Sequence, residues 1–389
     1  MGRSRKIFAK KKMLRYAIWL VAGARPNLMK IAPLWRALQR YPQLDCKFIY
    51  TGQHYDKNLS SIFFSAFGLP KPYHNLKVRP GSRQQVLKNI REKFIALCKK
   101  ETPSLVVVVG DVNSTLGATR GAKRCRIPIV HVEAGLRSFD PAMPEELNRR
   151  ETDHLADHLF ASERSGVQNL LKEGISRKKI FFPGNVMIDT LVQQLPHIRK
   201  SAIDKKLHLK RGHYVVATLH RPSNVDSRAS LLKLTAFLSW IAAKWTVVFP
   251  LHPRTKKSLI RTGLLSIWKQ IPRLILTPPL GYPNFLGLVS HAKFVVTDSG
   301  GIQEETTYIG IPCFTLRDNT ERPSTIYQGT NLLLGTDMEK AKKLLTRALH
   351  QKRKTQRLPP RWDGKAAVRI AMVLIKIVQK QIAAKKPKN

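Results

Sequence analysis

Short apolar runs alternate with segments of helical period along this chain. The runs end at glycine or at polar residues, as buried parallel strands do, and the segments between them space apolar residues three and four apart. This alternation predicts an α/β protein built on parallel sheets. We predict a first strand that ends near residue 22 and a further strand that begins at Phe294. The other predicted strands span residues 46–50, 105–109, 127–132, 158–161, 180–182, 214–218, 246–251, 274–277 and 312–316.

The stretch from Phe294 to Glu305 reads FVVTDSGGIQEE. An apolar run breaks at Ser299, Gly300 and Gly301, and a helical pattern begins at once. Two glycines let the backbone come close to a ligand, and free N–H groups at a helix start favour a phosphate. An ordinary tight turn would look the same, so the assignment depends on the rest of the chain.

Acidic residues follow two strands of the first half and open one of its helices. Asp111 follows the strand 105–109, Glu133 follows 127–132, and Glu145 comes directly after Pro144. Ligands bind outside the carboxyl ends of strands in an open α/β sheet, so these acids are expected at one crevice. Each alone could serve the fold, Asp111 as a helix cap and Glu145 through the helix dipole. Three together favour acid/base chemistry.

Basic groups and a histidine stand at other strand ends. Arg25 follows the first strand, with Lys30 one turn into the next helix, and His220 follows the strand 214–218. A histidine at a strand end is expected to contact a ligand. With the glycine turn, these residues suit a nucleotide-diphosphate compound whose other end meets acid and base groups. The chain lacks the GxxxxGK[ST] loop of NTPases, and its first strand ends in GARP instead of GxGxxG.

The composition adds a strong positive charge. Lys and Arg total 69 against 25 Asp and Glu, a net charge of +44, while 43% of the residues are apolar. The basic residues are spread over the chain without an aromatic-basic module, so we expect no specific nucleic-acid partner. No segment approaches the roughly 18 unbroken apolar residues of a membrane span, and the basic N-terminus is interpreted as leading into a first buried strand. Four cysteines without metal-ligand spacing predict no structural metal and a reducing, cytoplasmic location.

Ten segments between Gly23 and Pro323 resemble, in order, the motifs of the UDP-N-acetylglucosamine 2-epimerase family. They read GARPNLMKIAPL, TGQHYD, GDVNSTL, HVEAGLRSFD, MPEELNR, GNVMIDT, TLHRPSNVD, FPLHPR, TDSGGIQEE and RDNTERP. The resemblance implies two Rossmann-like domains facing across a cleft, the GT-B arrangement, with the last helix crossing back to the first domain. Domains are expected at residues 1–198 and 199–365, followed by the helix and basic tail at 366–389.

The family resemblance implies a non-hydrolysing epimerase that interconverts UDP-N-acetylglucosamine and UDP-N-acetylmannosamine for surface polysaccharides. UDP and the C2 proton leave to give 2-acetamidoglucal, and UDP then adds back with a proton delivered to the opposite face. Neither a metal nor a nicotinamide cofactor is implied. The implied catalytic residues are Asp111, Glu133, Glu145, His220 and Lys30, and the implied UDP ligands are Arg25, Phe285, Ser299, Gly300, Gly301 and Glu305.

Some motif positions depart from the family. Ala24 and Asn27 replace the threonine and glutamate of the usual GTRPE, and Tyr55 and Asp56 alter a motif near the activator site of some bacterial members. The TLHRPSNVD segment is also similar to relatives that act on other UDP-2-acetamido sugars. The reaction class is therefore better defined than the sugar.

Three alternatives stay open at this stage. A hydrolysing 2-epimerase would release UDP and free N-acetylmannosamine from the same site. A GT-B glycosyltransferase would share the nucleotide half, although the three acids argue against it. A non-enzymatic protein that binds nucleic acid or anionic lipid would show strongly salt-dependent binding without turnover. The family commonly forms dimers, so a homodimer is expected.

Overall fold

The computed structural model describes residues 16–52, 64, 67–351 and 357–383, without the side chains of Arg25 and of residues 381–383. In this part of the chain the strands form two parallel sheets. The strands are β1 (Tyr16–Ala22), β2 (Leu44–Tyr50), β3 (His74–Asn75), β4 (Leu105–Val109), β5 (Ile129–Ala134), β6 (His158–Ala161), β7 (Ile180–Phe181), β8 (Tyr214–Thr218), β9 (Thr246–Pro250), β10 (Leu274–Thr277), β11 (Phe294–Thr297), β12 (Cys313–Thr315) and β13 (Asn331–Leu333).

The helices fill most of the connections between strands. Among the described residues they span Arg25–Leu38, Arg83–Lys100, Asn113–Arg124, Pro144–Leu155, Arg164–Lys172, Val186–Arg199, Ile203–Lys206, Pro222–Val225, Arg228–Ala242, Pro253–Arg261, Leu265–Gln270, Tyr282–Ser290, Gly300–Ile309, Ser324–Tyr327, Met338–His350 and Ala366–Ala383, with a 3₁₀ turn at Arg177–Lys179.

The first sheet has the order β3-β2-β1-β4-β5-β6-β7. Its order reverses between β1 and β4, which pair in parallel, as in a doubly wound sheet. Strand β4, with the sequence LVVVV, is buried at every position, because a strand covered on both faces takes an unbroken apolar run. Gly23 and Gly110 follow the two strands at this reversal, so the predicted residues Arg25 and Asp111 both stand there.

The second sheet has the order β10-β9-β8-β11-β12-β13 and reverses between β8 and β11. Its core includes Val215 and Ala217 of β8, Phe294 of β11, and Phe237 and Leu238 of the helix Arg228–Ala242. His220 follows β8 and Ser299 follows β11, so the sheet brings these two predicted site segments side by side. The α/β class with two parallel sheets is confirmed.

The described residues form two compact units. One contains the residues up to 132, residues 151–159 and those from 367 onward, and so includes nearly all of the last helix; the other contains residues 133–150 and 160–366. The segment 199–211, which begins at the predicted boundary between the two domains, includes the helix Ile203–Lys206, whose Asp204 is buried and pairs with Arg211 at 2.6 Å. The domain boundaries given above stay predictions.

Several strand ends differ from the prediction by one or two residues. The largest shift is in β5, predicted at 127–132 and found at Ile129–Ala134, so that Glu133 lies inside the strand end instead of after it. Pro128 precedes the strand and has no N–H to donate to the sheet, although its carbonyl accepts from Val106. Strands β3 and β13 are two and three residues long, too short to show a period in the sequence.

Within the residues described, no helix is both long enough and apolar enough to cross a membrane.

Candidate active site

Asp298 holds the turn that carries His220. Its carboxylate accepts the backbone N–H groups of His220, at 2.9 Å, and of Arg221, at 2.8 Å, and the side-chain amide of Asn224 at 3.0 Å. Nδ1 of His220 lies 3.2 Å from the same carboxylate. Burial alone would raise the pKa of Asp298, but hydrogen bonds and charge from His220, with those of Asn224 and the Arg221 backbone, outweigh it and lower this pKa. The His220 side chain remains 34% exposed and packs against the His252 ring at a centroid distance of 4.7 Å.

The glycine turn after β11 opens the helix Gly300–Ile309, with Ser299 as its N-cap. Gly300 is required by space, because a Cβ there would stand 2.7 Å from Oε1 of Glu321 and 3.2 Å from a guanidinium nitrogen of Arg322. At Gly301 a Cβ would meet its nearest atom, Cε of Met187, only at 4.0 Å. The Ser299 side chain makes no capping bond to the helix. A helix N-terminus of this kind can hold an anion.

Arg322 joins three carboxylates beside this turn. Its guanidinium lies 2.8 Å from Glu133, 2.7 Å from Glu304 and 2.9 Å from Glu321, and all four side chains are almost fully buried. Buried charges are tolerated when they are paired in this way. The predicted acid Glu133 is therefore fixed by a residue far along the chain, in the motif RDNTERP.

The carboxyl of Glu321 is held ionised by its neighbours. Burial alone would raise its pKa, but the charges of Arg322, Arg317, Arg149 and Arg221 outweigh that effect and lower the pKa far below the ordinary value. An arginine-rich surrounding of this kind suits the binding of an anion.

Glu133 has an unusual backbone. Its φ is +73°, in the left-handed region that non-glycine residues seldom adopt. Such conformations cost of order 1–3 kcal/mol and cluster at functional sites. Gly135, two residues on, has φ +80°, and a Cβ there would stand 2.2 Å from the carbonyl oxygen of Gly166. The chain therefore turns sharply at the end of this strand and lies directly against the backbone of Gly166.

Glu145 and Glu146 are adjacent but differ in surroundings. Glu146 is buried and accepts from the Ser138 backbone at 2.8 Å and from Arg149 at 2.7 Å, so it supports the loop before the helix. Glu145 is exposed and lines a cavity of about 690 Å³. The cavity lining also includes Asp140, Met143, His220, Arg221, Arg254, Arg317 and Asn319. The structure thus brings Glu145 and His220 to one cavity.

Lys30 and Asp111 lie at the corresponding end of the first sheet. Lys30 is buried, and a Cβ added at Gly110 would stand 2.7 Å from its Nζ. Asn27 accepts from the Ala24 backbone at 3.2 Å and donates to the Val109 carbonyl at 2.8 Å, which ties the GARP loop to the end of β4. Asp111 is half-buried, and the following helix takes Val112 as N-cap, so Asp111 is not its cap.

The other predicted ligands lie in the second unit or outside the described atoms. Phe285 is half-buried on the helix Tyr282–Ser290. Glu305 is buried and accepts from the Tyr282 hydroxyl at 2.9 Å. Arg25 begins the first helix, but its side chain lies outside the described part, as do residues 53–56 of the TGQHYD motif. The ligand roles of these residues stay predictions.

Three residues of the site were assigned no role from the sequence. Asp298, Arg322 and Arg221 act through partners between 77 and 189 positions away, which periodicity does not reveal. The motifs TDSGGIQEE, RDNTERP and TLHRPSNVD contain them, and the acid before the glycine pair was the available clue.

The sequence profile of the UDP-N-acetylglucosamine 2-epimerase family matches residues 36–375. The chain belongs to this family. The UDP-N-acetylglucosamine 2-epimerase of Methanocaldococcus jannaschii is 38% identical over 91% of this chain and 98% of its own. A UDP-2,3-diacetamido-2,3-dideoxy-D-glucuronate 2-epimerase of Pseudomonas aeruginosa is 37% identical over 82% of this chain and 88% of its own.

Solved structures of the family agree with this fold. The M. jannaschii enzyme, in complex with UDP-GlcNAc and UDP, superposes with a TM-score of 0.85 at 37% identity, covering 92% of this chain and 99% of that one. The Neisseria meningitidis UDP-GlcNAc 2-epimerase bound to UDP-GlcNAc superposes with a TM-score of 0.83 at 29% identity, covering 92% and 100%. The predicted family is confirmed, and with it the predicted class of enzyme.

Proposed function

We propose that this member of the family is a non-hydrolysing epimerase that inverts C2 of UDP-N-acetylglucosamine to give UDP-N-acetylmannosamine. The observation that carries the proposal is the turn at Gly300, a helix N-terminus beside the Arg322 cluster that also holds Glu133. An anion site and a candidate acid/base group are thus joined through one guanidinium. Relatives named as UDP-GlcNAc 2-epimerases, one of them in complex with UDP-GlcNAc and UDP, support the assignment.

The diphosphate is assigned to the backbone N–H groups at Ser299, Gly300 and Gly301, with His220 close by. Anions favour a helix N-terminus, and each donor aimed at developing charge is worth about 10²–10³ in rate in other enzymes. Arg25 and Lys30 are assigned to UDP as well, Glu305 to the ribose hydroxyls and Phe285 to the uracil. Buried Glu305 already accepts from Tyr282, so a ribose hydroxyl would add to or replace that bond.

The acid/base work is assigned to Asp111, Glu133 and Glu145. One carboxylate takes the C2 proton while the C1–O bond to UDP breaks, which gives 2-acetamidoglucal and UDP. A UDP oxygen then bonds to C1, and another acid returns a proton to the opposite face of C2. Atoms and electrons balance without an oxidant. Proton transfer of this kind contributes about 10²–10⁴-fold.

The sugar itself has a second candidate. The relative named for a UDP-2,3-diacetamido-glucuronate is nearly as similar to this chain as the M. jannaschii enzyme. A carboxylate at sugar C6 would suit the arginines that line the cavity with Glu145. The hydrolysing outcome is a third candidate, which differs only in the fate of the released UDP.

A homodimer, a cytoplasmic location and a place in surface polysaccharide synthesis belong to the same proposal. We propose the dimer because members of the family commonly form dimers. The location rests on the four cysteines, which are far apart in the sequence and suit a reducing compartment.

The test is incubation of the purified protein with UDP-GlcNAc in deuterated water, followed by proton NMR of the sugars. Two UDP-sugars with deuterium at C2 are expected. Free N-acetylmannosamine with UDP would move the protein to the hydrolysing branch. If only UDP-2,3-diacetamido-glucuronate exchanges at C2, that sugar is the substrate, and exchange with neither sugar would contradict an epimerase.

A further inference from the structure

His131 is a fully buried histidine near the end of β5, and both of its ring nitrogens are engaged. Nδ1 lies 2.6 Å from Oδ1 of Asp153, which is also fully buried. Nε2 lies 2.8 Å from the carbonyl oxygen of Gly110. All of these groups belong to the first compact unit.

This geometry determines where a proton must be. A carbonyl oxygen only accepts, so Nε2 of His131 must carry the hydrogen that binds Gly110. A bare Nε2 would place two buried acceptors against each other, which costs the desolvation of both. On the other side, either Nδ1 donates to an ionised Asp153 or a protonated Asp153 donates to Nδ1. In both cases the pair is neutral as a whole and Nε2 donates.

The bond to Gly110 fixes the peptide that leads into Asp111. The Gly110 carbonyl belongs to the planar unit that ends at the amide of Asp111, so holding that oxygen sets the orientation of the whole plane. The Gly110 N–H also donates to the Val132 carbonyl at 3.0 Å, which fixes the peptide before it. Gly110 itself has φ +66°, a conformation in which the chain turns sharply.

We propose that His131 is a positioning residue for Asp111, with Asp153 as the group that orients its ring. It acts through the backbone and does not touch the sugar. The inference rests on the proposed function, since it assumes that Asp111 transfers a proton at C2. If the loss of the His131 bond let the carboxylate of Asp111 shift by about 1 Å, turnover would fall by about 10²-fold.

The test compares Gln and Asn at position 131 in an Asp153→Asn background, so that no variant leaves a buried carboxylate without its histidine. The Gln side chain carries its NH₂ group about as far from Cα as Nε2 of histidine, and can donate to Gly110. The Asn side chain reaches only as far as Nδ1. We expect His131→Gln to keep kcat within about threefold of the Asp153→Asn reference and His131→Asn to lower it about 10²-fold, with KM for UDP-GlcNAc unchanged in both. Equal losses in both variants would reduce His131 to a packing residue and overturn the proposal.

A second measurement does not depend on turnover. Nitrogen-15 NMR of the full-length protein labelled at histidine, with the His131 signals assigned by their loss in His131→Gln, should show a proton on Nε2. A bare Nε2 would overturn the proposal whatever the kinetics. Failure of the proposed function looks different, because the unsubstituted protein would then exchange no C2 hydrogen while Nε2 of His131 still carried its proton.

Discussion

Each sheet has a histidine and an acid near neighbouring strand ends, but with opposite burial. In the first unit, His131 of β5 is fully buried, whereas Asp111, which follows β4, is half-buried. In the second unit, Asp298, which follows β11, is fully buried, whereas His220, which follows β8, is 34% exposed. In each unit the fully buried partner binds backbone atoms of the turn, and the more exposed partner is the one predicted to meet ligand. Within these two pairs, burial and not residue type distinguishes the positioning group from the predicted ligand group.

Replacing Asp111 should give the largest effect on turnover. Asp111→Asn removes one carboxylate from the proposed proton-transfer set and should lower kcat by about 10²–10⁴-fold. Asp111 is half-buried, so the substitution should cost less than about 1 kcal/mol of unfolding free energy. Turnover is measured as C2 deuterium exchange and stability by denaturant unfolding.

Glu92→Gln provides the control for Asp111→Asn, since it removes one exposed carboxylate from a helix of the same unit. It should change neither quantity. If Asp111→Asn instead lowered stability strongly and left C2 exchange unchanged, Asp111 would support the fold, as Asp298 does, and would not transfer a proton.

Replacing the buried acid should instead lower stability. Asp298→Asn places an NH₂ group among the backbone donors of His220 and Arg221, and should cost about 1–3 kcal/mol of unfolding free energy at neutral pH. The pKa of Asp298 is lowered in the fold, so its stabilisation is complete above its ordinary pKa of about 3.9 and is lost as pH falls through the lowered value.

The difference in stability between the original protein and Asp298→Asn should therefore shrink as the pH falls below about 4, and denaturant unfolding at several pH values measures it. The matched substitution is Asp140→Asn, which replaces an acid in the cavity lining of the same unit. A gap that stays constant with pH would mean that the pKa of Asp298 is the same in the folded and unfolded states, which would contradict the lowered value.

The last comparison is between the two glycines of the turn after β11, where the smallest effect is expected at Gly301. Gly300→Ala should cost about 1–3 kcal/mol of unfolding free energy, because its methyl group would stand 2.7 Å from Glu321. The neighbouring Gly301→Ala meets nothing closer than 4.0 Å and should leave stability unchanged or slightly higher. Denaturant unfolding of both variants measures the difference. Equal stabilities would mean that Glu321 and Arg322 move aside freely.

The fold was predictable where one buried run forms one strand. Leu105–Val109 and Tyr214–Thr218 were placed correctly because each is an unbroken apolar segment between polar turns. The end of β5 was not, since Glu133 is a charged residue that the strand includes only because Arg322 neutralises it in the interior. Ordered motifs identified the family, but they do not reveal which of two neighbours, such as Glu145 and Glu146, reaches the cavity.

The positioning residues His131 and Asp298 could not be predicted from the sequence, for a related reason. His131 lies in an apolar run and looks like one more strand position until Gly110 and Asp153 are placed around it. Asp298 is one letter in a glycine turn, and its partners precede it by more than seventy residues. Such roles are properties of the folded chain and not of any local pattern.

The span between Asp298 and His220 also bears on how the second unit is made. The two segments are 78 residues apart, and β9 and β10 lie between them in the chain, whereas β8 and β11 are neighbours in the sheet. A contact across so many residues carries a large loop-closure cost. A chain leaving the ribosome cannot complete the turn at His220 until residue 298 has emerged, so this turn is assembled late in synthesis, after four of the six strands of its sheet have been translated.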